Sequence, residues 1–103
     1  MADTIYALSS GAPPAGIGVI RISGPRAGEA LSRMANGLPP ARSPRLRIVR
    51  NGEGEALDQA LVMWFAGPNT ATGEDLAEIH CHGGRAVVAA LLAALSSIDG
   101  LRE

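Results

Sequence analysis

Residues 75–98 read DLAEIHCHGGRAVVAALLAALSSI, and this stretch decides the fold class. Residues 75–82 alternate in polarity, and a period of two predicts a β-strand. Two glycines form a hinge, after which apolar side chains recur at helical spacing over residues 85–98 and predict an amphipathic helix. The side chains expected on its buried side are Val87, Val88, Leu91, Leu92, Leu95 and Ile98. A strand that leads into a helix of this kind is typical of helices packed on a sheet.

The same patterns continue toward the N-terminus. Runs rich in β-branched residues predict strands over residues 4–9 and Ile17–Ser23. Helical spacing then predicts a helix over residues 25–35, with Ser23 as a candidate N-cap and Asn36-Gly37 at its end.

Two further strands, Arg45–Arg50 and residues 57–65, flank a turn-rich pentapeptide and predict an antiparallel hairpin. The predicted order is therefore β, β, α, β, β, β, α. It indicates an α+β domain with a mostly antiparallel or mixed sheet and two helices packed on one face. A further strand is expected after the second helix, because that helix closes with Asp99-Gly100.

Composition limits the functions that the chain can have. The chain has 103 residues, of which 47% are hydrophobic and 18% are charged, and this composition is typical of one globular domain. Its net charge of -1 argues against a general nucleic-acid binder. All nine basic residues are arginines, which excludes a Schiff-base or phosphate-loop lysine. The single cysteine, Cys81, excludes an intrachain disulfide and fits a reducing cytosol. No secretory signal or membrane span is predicted.

Glu78, His80 and His82 are the first candidates for chemistry, because alternate residues of a strand share one face. Two histidines and a carboxylate at this spacing are suitable metal ligands. The commoner alternative is a polar strand face that lines a cleft. Cys81 lies on the opposite, apolar face with Ile79 and is predicted to be a core residue.

Arg21 is the second candidate, since it is alone in the apolar strand Ile17–Ser23, on the face of Val19 and Ser23. Such an arginine either extends to the rim of the sheet or pairs with an anion. Two glycine-rich loops, residues 11–18 and 82–84, are weak phosphate-binding signals, and the favoured interpretation is a sharp turn.

A basic stretch comprises Arg42, Arg45, Arg47 and Arg50. No aromatic residue is interleaved to stack on bases, so a solvated strand face is the favoured interpretation. The strands over Arg45–Arg50 and residues 57–65, with Trp64 and Phe65 near one end, are candidates for a partner surface.

Several segments together resemble one known family. In chain order they are Asp3-Thr4-Ile5, Pro13-Pro14-Ala15-Gly16, Val19-Ile20-Arg21-Ile22-Ser23-Gly24, Gly67-Pro68-Asn69-Thr70 with Thr72-Gly73-Glu74-Asp75, and Glu78-Ile79-His80-Cys81-His82-Gly83-Gly84. They resemble the N-terminal domain of the MnmE (TrmE) family of tRNA-modification GTPases, over nearly the whole chain.

The resemblance implies a fold similar to the tetrahydrofolate-binding domain of aminomethyltransferases. It implies binding of 5-formyltetrahydrofolate or a related one-carbon tetrahydrofolate, and a homodimer formed through this domain. The full-length family protein adds a helical domain and a G domain, which uses GTP, Mg²⁺ and K⁺. With a flavin-containing partner of the MnmG (GidA) family, it adds a carboxymethylaminomethyl group to the wobble uridine of tRNA in the cytoplasm, away from membranes.

At the level of residues, the resemblance implies that Arg21 and Glu78 contact the folate, and that the chain carries no catalytic or metal-binding residue. His80 and His82 are then expected to line the cleft or to set the turn. Residues 1–103 are expected to form one C-terminally truncated domain without GTPase activity, because the family's helical and G domains are not in the sequence. Two alternatives remain: a metal-dependent enzyme built on Glu78, His80 and His82, and a ligand-free interaction module.

Overall fold

The computed structural model describes residues 3–103. It contains six strands and two helices. In chain order they are β1 (Thr4–Leu8), β2 (Ile17–Ser23), α1 (Ala27–Ala35), β3 (Arg45–Arg50), β4 (Ala56–Phe65), β5 (Leu76–His82), α2 (Arg85–Ser96) and β6 (Leu101–Arg102). The predicted elements are all present, with ends displaced by no more than two residues. The further strand was expected beyond the end of the chain, whereas β6 is formed by Leu101–Arg102.

The six strands form one sheet in the order β3-β4-β5-β2-β1-β6. Every neighbouring pair is antiparallel except β1 and β6, which are parallel, so the sheet is mixed as predicted. The predicted hairpin is confirmed as the antiparallel pair β3–β4. β5 lies between β4 and β2 near the middle of the sheet, where Glu78 is opposite Met63 on one side and Arg21 on the other.

Both helices pack against one face of the sheet, which confirms the α+β prediction. The buried cluster includes Tyr6, Ile20, Ile22, Val49, Ala60, Val62, Ala77, Ile79 and Cys81 from the strands, together with the apolar sides of α1 and α2. Cys81 is buried here as predicted. We call the opposite side of the sheet the helix-free face. Arg21, Glu78 and His80 lie on this face, because they alternate along β2 and β5 with the residues of the core.

The predicted N-cap of α1 is wrong. Ser23 lies within β2, and α1 begins at Ala27, preceded by Arg26, whose side chain makes no capping hydrogen bond. The backbone N–H of Arg26 instead donates to Thr4 Oγ1 on β1, 2.9 Å away. The backbone N–H group at the start of α1 is thus hydrogen-bonded by a residue that is distant in the sequence. The end is as predicted, with Asn36 and Gly37 in the left-handed region.

Trp64 is not on a partner surface, so that prediction is wrong for this residue. It is opposite Ala77 in the sheet, on the helix-covered face, and packs against the core. Its ring lies so close to Gly28 of α1 that a Cβ there would be 3.0 Å from the indole. Phe65, the next residue, points to the helix-free face together with Leu76.

Neither helix within residues 3–103 combines the length and the apolar character needed to cross a membrane.

Candidate functional site

Glu78 is the centre of the candidate site. It is 8% exposed, and its side chain, at 11%, is enclosed to the same degree as that of Asp58, at 10%. A buried carboxylate is costly unless it is paired, and this one has two partners. Arg21 Nε donates to Glu78 Oε2 at 3.0 Å, and His80 Nε2 donates to Glu78 Oε1 at 2.9 Å. The register of β2 against β5 and the alternation along β5 bring these three side chains together, on the face where the sequence placed them.

Arg21 offers more than this ion pair. Its side chain is 48% exposed, and within the described residues only its Nε has a hydrogen-bond partner. A guanidinium carries five N–H donors, so the two terminal nitrogens remain free to bind an anion or a carbonyl oxygen. The structure therefore combines the two alternatives for Arg21: it extends toward solvent and it is also paired.

A cavity of about 240 Å³ lies beside Glu78. It is lined by Arg42, Phe65, Asn69, Thr70, Ala71, Leu76 and Glu78. A larger cavity of about 610 Å³ lies between the end of α1 and the turn of the β3–β4 hairpin, near Arg33 and Arg50. That cavity contains no buried ionisable side chain, so we place the candidate site at Glu78.

The loop between β4 and β5 forms one wall of the Glu78 cavity, and hydrogen bonds within the loop and to β2 hold it in shape. The Ser23 hydroxyl donates to Glu74 Oε2 at 2.9 Å and lies 2.8 Å from Thr72 Oγ1. The backbone N–H of Gly67 donates to Asp75 Oδ1 at 2.8 Å. The loop segment that carried the family resemblance is thus the segment that shapes the cavity.

Arg42 was missed as a site residue. The sequence groups it with Arg45, Arg47 and Arg50, but the structure places it on the Glu78 cavity, with its Cζ 5.7 Å from the centroid of the Phe65 ring. Its Nη2 donates to the carbonyl oxygen of Asn69. No periodicity could have indicated this, because Arg42 lies in an irregular segment with a φ of 60°.

Among the remaining arginines of the basic stretch, one is not fully exposed on the predicted solvated face. Arg47 is half-buried, and its Nε is buried without a hydrogen-bond partner among the described residues. Arg45 and Arg50 are exposed as expected.

His82 is separated from Glu78 and His80 by its own partner. Its backbone N–H and its ring Nδ1 both donate to the carboxylate of Asp58, at 2.8 Å each. Within residues 3–103 no group of three or more His, Cys, Asp or Glu side chains is arranged to hold a metal ion. Glu78, His80 and His82 therefore share a strand face but do not converge, because His80 pairs with Glu78 and His82 with Asp58.

Cys81 has the properties of a core residue. Burial raises the pKa of its thiol, and the nearby charge of Asp58 raises it further. Because the thiolate is the reactive form, this environment is unsuited to a nucleophile.

Gly83, the first of the two glycines before α2, allows a close approach of two backbone segments. A Cβ on Gly83 would lie 2.3 Å from the carbonyl oxygen of Ala15, so the loop before β2 packs directly on this turn. The backbone N–H of Ala15 donates to the carbonyl of Gly83 at 3.0 Å. This contact supports the interpretation of Gly83 as part of a tight turn.

Comparison with known proteins gives a consistent result. The family described as "GTP-binding protein TrmE N-terminus" matches residues 4–103. The chain is 62% identical over 104 residues to a "tRNA modification GTPase MnmE" of Novosphingobium aromaticivorans, covering 100% of this chain and 24% of that protein. It is 60% identical over 101 residues to one of Erythrobacter litoralis, covering 98% of this chain and 24% of that protein. The chain thus spans about a quarter of the length of these relatives.

Proposed function

The chain belongs to the family of the TrmE N-terminus, and from this premise we propose that its Glu78 cavity binds the pterin head of a one-carbon tetrahydrofolate such as 5-formyltetrahydrofolate. The observation that carries the proposal is the buried Glu78 carboxylate, held in place on both sides and lining a cavity.

The chemistry of Glu78 suits this ligand. The amino-pyrimidine edge of a pterin presents two parallel N–H groups, and a carboxylate accepts two such bonds in one plane. Each oxygen of Glu78 has one protein partner and keeps a further lone pair. Arg21 and His80 therefore fix the orientation of the carboxylate without using up its capacity to accept hydrogen bonds.

The size of the cavity also suits part of the ligand. Pockets that enclose a drug-sized molecule measure about 300–1,000 Å³. The Glu78 cavity, about 240 Å³, is smaller and is suited to a bicyclic head, with the rest of the molecule outside. Arg21 does not line this cavity, so its exposed nitrogens would meet the formyl oxygen or another polar group where the ligand extends beyond the cavity wall.

We further propose that the chain forms a homodimer through its helix-free face. Five large apolar side chains on this face are exposed: Ile5, Ile17, Leu46, Ile48 and Leu61. Leu46 and Leu61 are direct cross-strand neighbours, and exposed apolar side chains that lie together commonly mark interaction surfaces. A second copy is the occupant that the family resemblance favours.

At the level of the whole protein, we propose that the chain serves in tRNA modification in the cytoplasm. The relatives are named tRNA modification GTPases, which supports GTP hydrolysis by a full-length protein; the use of Mg²⁺ and K⁺ is part of the proposal. A flavin-containing partner of the MnmG (GidA) family and carboxymethylaminomethyl addition to the wobble uridine of tRNA belong to the same proposal. The 103 residues contribute the folate and dimer functions.

The folate proposal is tested by calorimetric titration of the chain with 5-formyltetrahydrofolate. In Glu78→Gln, one oxygen becomes an NH₂ group that faces a donor of the ligand, and we expect a loss of about 1–3 kcal/mol, or roughly 5- to 150-fold in affinity. Glu53→Gln, an exposed carboxylate in the hairpin turn, is the matched control and should bind like the unaltered chain.

Absence of binding by the unaltered chain, or equal affinity in Glu78→Gln, would refute the folate proposal. A dimer that takes up no folate would instead favour the second candidate, a ligand-free interaction module. The exposed apolar side chains of the helix-free face are the observation that supports that candidate.

A further inference from the structure

Two arginines lie on opposite sides of Glu78. The strand order β4-β5-β2 places Arg21 on the β2 side of Glu78 and Phe65 on the β4 side. Arg42 covers Phe65 and lines the same cavity as Glu78. Arg42 is exposed to solvent, whereas Glu78 is buried. The lining of the cavity therefore includes a buried carboxylate and a solvent-exposed cation, Arg42, while Arg21 lies outside the lining.

We propose that Arg42 is a second cationic binding residue of this cavity, and that it takes the anionic glutamyl tail of the folate while Glu78 takes the head. This inference rests on the proposed function and extends it to the other end of the ligand. A cavity that encloses only the head leaves the tail to pass along the solvent-exposed part of the lining, where Arg42 lies. A guanidinium binds a carboxylate through two parallel hydrogen bonds.

The charge of Arg42 is available for such a contact. Arg21, Arg26, Arg33 and Arg102 each have a carboxylate within 4.0 Å. Arg42 has none within residues 3–103, and its side-chain hydrogen bond goes to the backbone carbonyl of Asn69. A cation without an acidic partner in the lining of a cavity is suited to an anionic group of a ligand.

Arg42 is also held in position. Its backbone N–H donates to the carbonyl of Trp64 at 2.8 Å, its Nη2 donates to Asn69, and its guanidinium packs over Phe65. Its φ of 60° is one that side-chain-bearing residues rarely adopt. A side chain fixed before binding loses less conformational entropy when the ligand arrives.

The test compares ligands with and without the tail. The affinities of 5-formyltetrahydrofolate, its triglutamate and the tail-less 6-methyltetrahydropterin are measured for the unaltered chain, Arg42→Ala, Arg42→Gln and Arg45→Ala. We expect both Arg42 variants to bind 5-formyltetrahydrofolate about tenfold more weakly, the loss of one charged hydrogen-bonded contact. Their affinity for 6-methyltetrahydropterin should be unchanged, and the loss should be larger for the triglutamate. Arg45→Ala, which removes another exposed arginine without a carboxylate partner, should bind all three ligands normally.

An equal loss for the tailed and tail-less ligands would overturn the inference, because Arg42 would then only shape the cavity wall. Unchanged affinities in both Arg42 variants would overturn it as well. Thermal unfolding of both variants shows whether a weaker affinity comes from misfolding or from the lost contact. Arg42→Gln is the milder variant, because it retains a polar side chain of similar length. Failure of the head assignment is distinguishable, because it would appear as binding that does not respond to Glu78→Gln.

Discussion

At the scale of single residues, Glu78 shows what a strand pattern predicts and what it leaves open. Alternation along residues 75–82 placed Glu78 and His80 on one face, because side chains of a strand alternate whatever the neighbouring strands are. Their contact with Arg21 depends on the register of β2 against β5, which no local pattern specifies. Arg42 depends on a turn conformation and a loop wall, and it was therefore not predictable from the sequence.

Gly83 provides a prediction at the same scale. In Gly83→Ala the new Cβ would lie 2.3 Å from the carbonyl oxygen of Ala15, so the backbone of one loop must move. We expect a loss of about 1–3 kcal/mol in the free energy of unfolding, as for other overpacked sites. The neighbouring Gly84 is the matched control, because a Cβ there meets no atom within 4 Å and its φ is -69°. Urea unfolding of both variants is the measurement; equal stability would contradict the close approach of Ala15.

At the scale of elements, the sequence predicted the strands and helices well, because each has a distinct apolar period. The start of α1 was the exception. Ser23 has the local spacing of an N-cap, but it lies in β2 and its hydroxyl contacts Thr72 and Glu74 of the β4–β5 loop. Thr4 supplies the acceptor instead, from a strand that is 22 residues away in the chain. Local capping rules do not detect a partner of this kind.

Thr4→Val tests this cap. Valine has a similar shape but no hydroxyl, so the backbone N–H of Arg26 loses its acceptor in a buried position. We expect the free energy of unfolding to fall by about 1–2 kcal/mol. Amide exchange in Ala27–Ala35 should also become faster. Thr4→Ser, which keeps the hydroxyl, should retain slow exchange in α1, and fast exchange in both variants would argue against the cap.

At the scale of the whole molecule, the α+β class and the packing of both helices on one face followed from the sequence. The order of the strands did not, because the interactions that select neighbours are distant in the chain. The distribution of exposed apolar side chains also required the structure. Only the register shows that Ile5, Ile17 and Leu61 share the helix-free face.

Leu46→Glu tests the use of that face by a second copy. Leu46 is 62% exposed and lies beside Leu61, so a charge there should be tolerated in the monomer and disfavoured in an apolar interface. We expect sedimentation velocity to show a shift from dimer to monomer. Leu38→Glu is the control, since Leu38 is 44% exposed but lies outside the sheet. A dimer unaffected by Leu46→Glu, or a monomeric unaltered chain, would count against the proposed interface.

The position of β5 has a consequence for folding. β1 with β2, and β3 with β4, are neighbours in both the chain and the sheet, but the two pairs do not touch each other without β5. Arg21 and Glu78 are 57 residues apart in the chain, so joining them closes a long loop. The site therefore exists only when β5 is in place between β4 and β2. A ligand that binds at Glu78 would consequently stabilise the joined strands against unfolding, since neither pair of strands contains the site alone.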